Sequence, residues 1–155
     1  MTNIYSLADY TVSFKANGVK VEIGGASESS GSVSQKSGYL NRIILRRTNN
    51  AWDTASDVTG GFVHNRNLSK IGTVTVQINQ ISDNVARLLY ILKAYENSTT
   101  PVPFDIYIKQ NGNVEVATCK SCLIQKASDQ TFGESADYQE WVFTCGEIIF
   151  NNTKF

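Results

Sequence analysis

The stretch GTVTVQIN at residues 72–79 decides the fold, because it leads directly into a helical pattern. Apolar and polar residues alternate strictly here, which indicates a strand with one buried and one solvated face. Ser82 follows as a favourable helix N-cap. Apolar residues then recur at helical spacing and predict an amphipathic helix over about residues 82–96. The alternating apolar residues are Val74, Val76 and Ile78, and the helical ones are Val85, Leu88, Leu89, Leu92 and Tyr95.

Length, composition and charge set the first limits on function. The chain has 155 residues, of which 41% are hydrophobic and 18% are charged, so we expect a single domain over residues 1–155. Fourteen basic residues balance fourteen acidic ones. A protein that binds DNA tightly by neutralising phosphates needs an excess of basic residues, so the sequence disfavours a DNA-binding protein.

Three cysteines without a recognisable secretory signal predict reduced thiols and an intracellular site of folding. The longest apolar run, 88–92, is too short for a membrane anchor.

Further strands are predicted on both sides of the deciding stretch. Asn17-Gly18 separates two alternating segments near the start of the chain and is a strong hairpin signal. Alternation returns after residue 103, and Asn111-Gly112-Asn113 predicts a second hairpin turn. The sequence therefore predicts a mainly-β fold, either a β-sandwich or a small β-barrel, with one flanking helix at about 82–96. The predicted strands cover 10–14, 19–23, 40–47, 72–79, 104–109, 114–116 and 138–150, and residues 119–126 either continue the strand from 114 or form another.

Two long polar connections interrupt this pattern, at about residues 24–39 and 48–70. In the first, 10 of the 15 residues from 24 to 38 are serine or glycine. Such a composition cannot bury enough apolar surface to order itself alone. It is either a loose loop or an arm that orders against a neighbouring subunit, since loops of this length are usually disordered or functional. Trp52 in the second connection either plugs the core edge or anchors a contact.

The cysteines provide the only metal-like motif. Cys119 and Cys122, with Cys145 and His64, form a nominal Cys3His set for zinc. The set lacks a second closely spaced ligand pair, and strand residues three apart face opposite sides of a sheet. Packing as small core residues is the better interpretation. A zinc-dependent or thiol enzyme therefore ranks last, and we predict no catalytic residue, metal or cofactor.

Several segments in this order resemble the tail tube proteins of contractile-tailed bacteriophages and the related type VI secretion tubes. The segments are 72–78, then Ser82-Asp83-Asn84 with its helix, 103–108, the Asn111-Gly112-Asn113 turn, and 140–143. The resemblance implies hexameric rings that stack head to tail into a hollow tube. It also implies a contractile sheath around the tube, passage of DNA through the lumen without sequence-specific binding, and a place in the virion tail. The implied partners are further copies of the chain and the sheath, baseplate and tail-terminator proteins.

The resemblance also yields two sets of expected site residues, although no single contact carries over because the loops lack a motif. The polar face of strand 72–79, or that of the first hairpin, would line the lumen; an ordinary solvent face is the alternative. The expected lumen residues are Thr73, Thr75, Gln77, Thr11, Ser13, Lys20 and Glu22. The expected contacts between subunits are Ser29, Ser30, Arg46, Arg47, Trp52 and Asp53.

A binding module is the second interpretation of this chain. A β-sandwich that binds carbohydrate or protein would use Trp52, Trp141 and tyrosines as stacking platforms. Trp141, however, stands in a predicted strand beside Val142 and Phe143, which favours a place in the core.

Overall fold

The structure is a computed structural model that describes residues 7–24, 40–82, 84–110 and 114–151. A short 3-10 helix at Leu7–Asp9 precedes the first strand. The single α-helix of the described residues, α1, covers Asn84–Asn97. The strands are β1 (Tyr10–Ala16), β2 (Val19–Gly24), β3 (Leu40–Arg47), β4 (Trp52–Ser56), β5 (Phe62–Arg66), β6 (Gly72–Asn79), β7 (Phe104–Gln110), β8 (Val114–Lys126) and β9 (Tyr138–Phe150).

Seven of the strands form one antiparallel sheet in the order β2-β1-β7-β8-β9-β6-β3. The sheet is a half-barrel, and β4 and β5 form a small separate sheet. The predicted mainly-β fold with one helix is confirmed. Of the two architectures that the sequence left open, the structure shows the barrel type, because one curved sheet rather than two stacked sheets carries the core.

Local sequence explains the first hairpin. Asn17 has a φ of 49° and Gly18 a φ of 77°, so both turn residues adopt the left-handed conformation that a tight hairpin turn requires. β1 and β2 then pair in register from Ala16 opposite Val19. The hairpin signal is therefore confirmed, whereas the second predicted turn, at residues 111–113, lies outside the described residues.

The helix lies where the sequence predicts it, with its start two residues later. The Ser82 hydroxyl accepts a hydrogen bond from the backbone N–H of Asn84 at 3.2 Å, which confirms the cap. The Asn84 side chain donates to the carbonyl of Glu22 at 2.8 Å and ties the helix start to β2. The buried side of the helix carries Val85, Leu88 and Ile91, of which Ile91 was not among the expected residues.

One hydrophobic core lies between the apolar face of the sheet and the helix. Val74, Val76 and Ile78 of β6 are all fully buried or nearly so, as their alternation predicts. Trp141 and Phe143 of β9 stand opposite this apolar set and are completely buried. The core interpretation of Trp141 is therefore correct, and its ring is not available as a stacking platform.

The prediction of a long loop at 48–70 is wrong in part, because this segment contains the β4–β5 hairpin. The carboxylate of Asp57 organises the hairpin loop by accepting hydrogen bonds from the N–H groups of Thr59, at 2.9 Å, and Gly61, at 2.8 Å. The Thr59 hydroxyl and these N–H groups hold the pKa of Asp57 below its ordinary value. Gly60 supplies a φ of 89°. Most of the other expected loop, at 24–39, lies outside the described residues.

Candidate assembly surfaces

The expected lumen residues all lie on one polar face, the face of the seven-stranded sheet that is turned away from the core. Thr73, Thr75 and Gln77 of β6 alternate with buried residues. Thr11 and Ser13 of β1 share a face with Lys20 and Glu22 of β2, because Ser13 stands opposite Glu22. The register through β7, β8 and β9 places the two groups on the same side of the sheet. The structure thus joins two sets of residues that the sequence offered as alternatives.

This polar face continues across strands that the sequence did not nominate. Tyr107 and Lys109 of β7 stand opposite Ser13 and Thr11, and Glu140 and Thr144 of β9 stand opposite Gln77 and Thr73. The face carries both signs of charge. Lys20 and Glu22 form an ion pair at 3.0 Å, and Arg42 and Arg46 of β3 lie opposite Gln77 and Thr73.

Each margin of the sheet lacks a second partner strand in the described residues, although other elements cover part of it. Within the described residues, β3 pairs only with β6, and β2 pairs only with β1. At β2, the helix covers part of the margin through the bond from Asn84 to the Glu22 carbonyl. β3 is eight residues long; the 3-10 helix at Leu7–Asp9 contacts it and its Leu40 side chain packs beside Gly24 of β2, but it has no second strand partner in the described part of the chain. It therefore offers a ladder of backbone groups to another strand.

The β4–β5 hairpin forms an arm, and every residue of its two strands is exposed. One side of this arm presents Trp52 and Phe62, which are 58% and 67% exposed. The guanidinium carbon of Arg66 lies 5.9 Å from the centre of the Trp52 ring, and the Phe62 and His64 rings are 5.3 Å apart. Thr54 and His64 are hydrogen-bonded across the strands at 2.8 Å. The arm therefore exposes an ordered row of aromatic and cationic side chains.

The expected contacts between subunits separate into three groups. Ser29 and Ser30 lie outside the described residues. Arg46 is exposed on β3, and Trp52 and Asp53 are exposed on the arm. Arg47 is instead engaged within its own chain, because its Nε and Nη2 donate to the carbonyl of Ile148 at 3.2 and 2.7 Å. Its guanidinium also lies 5.0 Å from the centre of the Phe150 ring.

The expectation that Cys119 and Cys122 face opposite sides of the sheet is wrong. β8 carries an extra residue relative to β7, since three steps from Cys119 to Cys122 match two steps on β7. Ser121 absorbs it with a φ of 56°. Both cysteines are consequently buried beside Cys145, and the Cys122 and Cys145 sulfurs are 2.9 Å apart.

These thiols do not form a metal centre with His64. His64 is exposed on the arm, whereas the cysteines are buried under the large sheet. No group of three potential ligands with metal-binding geometry occurs in the described residues. Within the same residues, no helix combines the length and the apolar character that crossing a bilayer requires.

The environment of Cys119 and Cys145 holds these two thiols in the protonated form. A hydrogen bond with Cys145 and burial both raise the pKa of Cys119. At Cys145 a hydrogen bond with Cys119 lowers the pKa, but a hydrogen bond with Cys122 and burial outweigh it and raise the pKa to about 12. Buried thiols of this kind react slowly, because the thiolate is the nucleophile.

Stability should therefore fall as the pH rises from about 9 toward 12. The folded chain holds the Cys145 proton up to about pH 12, whereas the unfolded thiol releases it near its ordinary pKa of 9.0. The stabilisation is complete below the unfolded pKa and is lost as the pH rises toward the folded one. Urea unfolding at several pH values measures the effect. A variant with Cys119→Ser and Cys145→Ser should show a flatter dependence, and an unchanged slope would contradict the assignment.

This half-barrel with one flanking helix and an exposed hairpin belongs to a structural protein of the phage tail tube class. The chain belongs to the Bacteriophage PhiTE tail tube protein family, whose model matches residues 3–151. A comparison with curated protein sequences gave no significant match.

Two solved structures support the fold assignment. One is the sheath/tube terminator of an extracellular contractile injection system, PVC, in its extended state, with a TM-score of 0.55 and 12% identity over 96% of this chain and 97% of that one. The other is the PVC sheath-tube complex, with a TM-score of 0.54 and 12% identity over 93% and 88% of the two chains. At this identity the likeness shows a shared fold.

Proposed function

We propose that this chain is a non-catalytic subunit of a phage tail tube, in which hexameric rings stack head to tail and conduct DNA inside a contractile sheath. The observation that carries the proposal is the open half-barrel itself, a single seven-stranded sheet whose β3 margin lacks a partner strand in the described residues. Membership of a tail tube family supports the same function. The whole chain would act as a single domain.

The open margin supports assembly through the sheet. An exposed edge strand invites pairing with another chain, and a ring in which copies complete one another's sheets removes that hazard. Within a ring, each subunit would contact the next through two different surfaces. Such contacts form a closed ring when the rotation between subunits permits it. The exposed Arg42 and Arg46 on β3 keep this strand soluble before assembly, as charged side chains on an edge do.

The polar face would line the lumen of such a ring. The helix packs on the apolar side of the sheet, so a lumen on the polar side leaves the helix on the outside of the tube, facing the sheath. Cations such as Lys20 and Lys109 are interspersed with anions such as Glu22 and Glu140 on this face. Tight, salt-dependent binding of DNA needs many uncompensated cations. A wall of mixed charge lets DNA pass without being held.

The arm would dock on a neighbouring copy of the chain. An isolated two-stranded hairpin is marginally stable in water, and this one has no buried residue in its strands. Val63 on its second side is also 60% exposed, so both sides of the arm present apolar area. Aromatic and arginine side chains, here Trp52, Phe62 and Arg66, are the types that dominate binding energy at protein interfaces.

Replacing Trp52 and Phe62 together with alanine should abolish tube formation while the subunit remains folded. Both rings are exposed and their contacts with Arg66 and His64 lie within the arm, so the stability of the subunit should change by about 0.5 kcal/mol or less, as for other surface substitutions. Negative-stain electron microscopy at high protein concentration measures assembly, and urea unfolding measures the fold. Tyr90→Ala is the matched control, because Tyr90 is 55% exposed on the helix, which faces away from the proposed subunit contacts.

Two outcomes would count against these assignments. Normal tubes from the Trp52 and Phe62 variant would remove the arm from the assembly contacts. A wild-type protein that stays monomeric at every concentration would overturn the tube proposal itself. The further partners that we propose are the sheath, baseplate and tail-terminator proteins, and their addition to the tube tests whether it binds them. The proposed location is the virion tail, after assembly in the host cytoplasm.

A further inference from the structure

We propose that Cys122 and Cys145 are an oxidative modification site, at which a small-molecule disulfide converts the two thiols into a cross-strand disulfide bond. Such a bond would join β8 to β9 in the middle of the seven-stranded sheet. The formation of the bond does not depend on the proposed tube, whereas its biological use does.

The geometry of the two residues carries the proposal. Cys122 and Cys145 stand directly opposite each other in the β8–β9 register, and their sulfurs are 2.9 Å apart. Opposed residues of antiparallel strands have Cα atoms about 4.5–5.5 Å apart, which lies within the range of about 4.4–6.8 Å found for disulfides. The bond can therefore form by side-chain rotation, without movement of either strand.

Cys119 is the less suitable partner, although its side chain also bonds to that of Cys145. Its register partner on β9 is Ile148, three residues beyond Cys145. A bridge from Cys119 would have to run diagonally across the bulge at Ser121, whereas the Cys122 bridge runs straight across the ladder. The Cys122 sulfur lies 3.4 Å from the Cys119 carbonyl, which orients Cys122 between its neighbours.

The strands leave a route for the reagent at this point. Cys122 and Cys145 are buried, but the residues beside them, Ser121 and Gly146, are exposed and close together, since a Cβ at Gly146 would lie 3.3 Å from that of Ser121. Gly146 contributes no side chain to the cover. A local opening of the strands at this bulge would bring the thiols to solvent, and the closed state makes the reaction slow rather than impossible.

The reaction is an ordinary pair of thiol–disulfide exchanges with oxidised glutathione as the oxidant. One cysteine thiolate attacks a sulfur of the glutathione disulfide and releases one glutathione thiolate, which leaves a mixed disulfide. The second cysteine thiolate attacks the protein sulfur of this mixed disulfide and releases the second glutathione. Two thiols of the protein are oxidised, two electrons pass to glutathione disulfide, and the two protons end on the two glutathione thiols.

The consequence for the tail rests on the proposed function. Cysteines remain reduced in a cytoplasm, where the subunit would fold and assemble, and disulfides persist in oxidising surroundings outside the cell. A free virion would thus acquire a covalent link inside each subunit after release. The link lies beneath the sheet and alters none of the surfaces proposed for assembly.

The test uses the full-length soluble subunit, incubated in its native state with oxidised glutathione. We expect the wild-type protein to lose two free thiols and the mass of two hydrogen atoms, and peptide mapping should recover a Cys122–Cys145 link. The link closes a loop, so the Tm should rise by about 5–10 °C on oxidation and return after reduction. Cys119→Ser should behave like the wild type, whereas Cys122→Ser and Cys145→Ser should keep their two remaining thiols.

Several results would overturn the proposal. The native wild-type protein could retain all three thiols, or could stop at a mixed disulfide with glutathione. Mapping could instead recover a Cys119–Cys145 link, or Cys122→Ser could still lose two thiols. Because mapping is done on the wild type, the test stands even if a serine variant fails to fold. Tube formation is not measured, so failure here is distinct from failure of the proposed assembly.

Discussion

Replacement of Trp141 with alanine should lower the free energy of unfolding by about 3–5 kcal/mol, as buried Trp→Ala changes do in other cores. Trp141 is completely buried on β9, opposite Val76 of β6. The loss combines the transfer of a large apolar ring with the cavity that a rigid sheet cannot close. It also removes a hydrogen bond, because Nε1 of Trp141 donates to the side-chain oxygen of Gln139 at 3.1 Å.

The chain supplies its own control for this prediction, because the second tryptophan is exposed. Trp52→Ala should change the unfolding free energy of the isolated subunit by about 0.5 kcal/mol or less. Urea unfolding followed by circular dichroism measures both variants without relying on tryptophan fluorescence. If Trp141→Ala and Trp52→Ala were destabilised equally, the assignment of one ring to the core and the other to a contact surface would be wrong.

The elements that could be predicted from sequence are those with a strong local pattern. β6 is paired on both margins, with β9 and β3, and the core covers only one of its faces. Its residues therefore alternate between apolar and polar, which predicts a strand. The helix is marked by Ser82 and by the spacing of its apolar residues. The turn at Asn17-Gly18 is marked because few residue pairs accept positive φ twice.

The arm could not be found by periodicity, because periodicity records burial and nothing in the arm is buried. Phe62 and Val63 are neighbours that point to opposite sides of a hairpin exposed on both. The signal that was available is short, an aspartate at residue 57 followed by Thr59 and Gly60-Gly61, which is typical of a turn held by a side-chain carboxylate.

The position of the candidate surfaces depends on strand order, which a local pattern does not contain. β1 and β2 reach the same sheet as β6 only because β7, β8 and β9 lie between them. The polar residues of each strand could be listed from sequence. That they form one continuous face could be known only from the strand order. The clustering of the cysteines likewise depends on one bulge, since Ser121 with its positive φ has no sequence signature.

Gly72 and Gly146 lie in strands of the large sheet and have no positive φ. Of the two, Gly72 should be the more damaging to replace with alanine. A Cβ at Gly72 would lie 2.2 Å from the carbonyl oxygen of Arg46 and 2.5 Å from Cδ1 of Ile148. The Ile148 side chain can rotate, but the Arg46 oxygen belongs to the backbone of β3. It can yield only if β3 moves away from β6, with which it is paired from Gly72 onward.

We therefore expect Gly72→Ala to lower the free energy of unfolding by about 2–3 kcal/mol, in the range of overpacked sites. Gly133→Ala is the matched control, because a Cβ there meets no atom within 4 Å, and it should be nearly neutral. Hydrogen exchange locates the damage, since β3 amides should lose protection while those of β7 and β8 keep it. Because β3 is the margin proposed to receive the next subunit, the variant should also fail to form tubes under conditions in which it remains folded. Wild-type stability would show that β3 does not approach Gly72 as closely as described. Normal tubes from a variant whose β3 amides have lost protection would show that the open margin is not where the sheet continues.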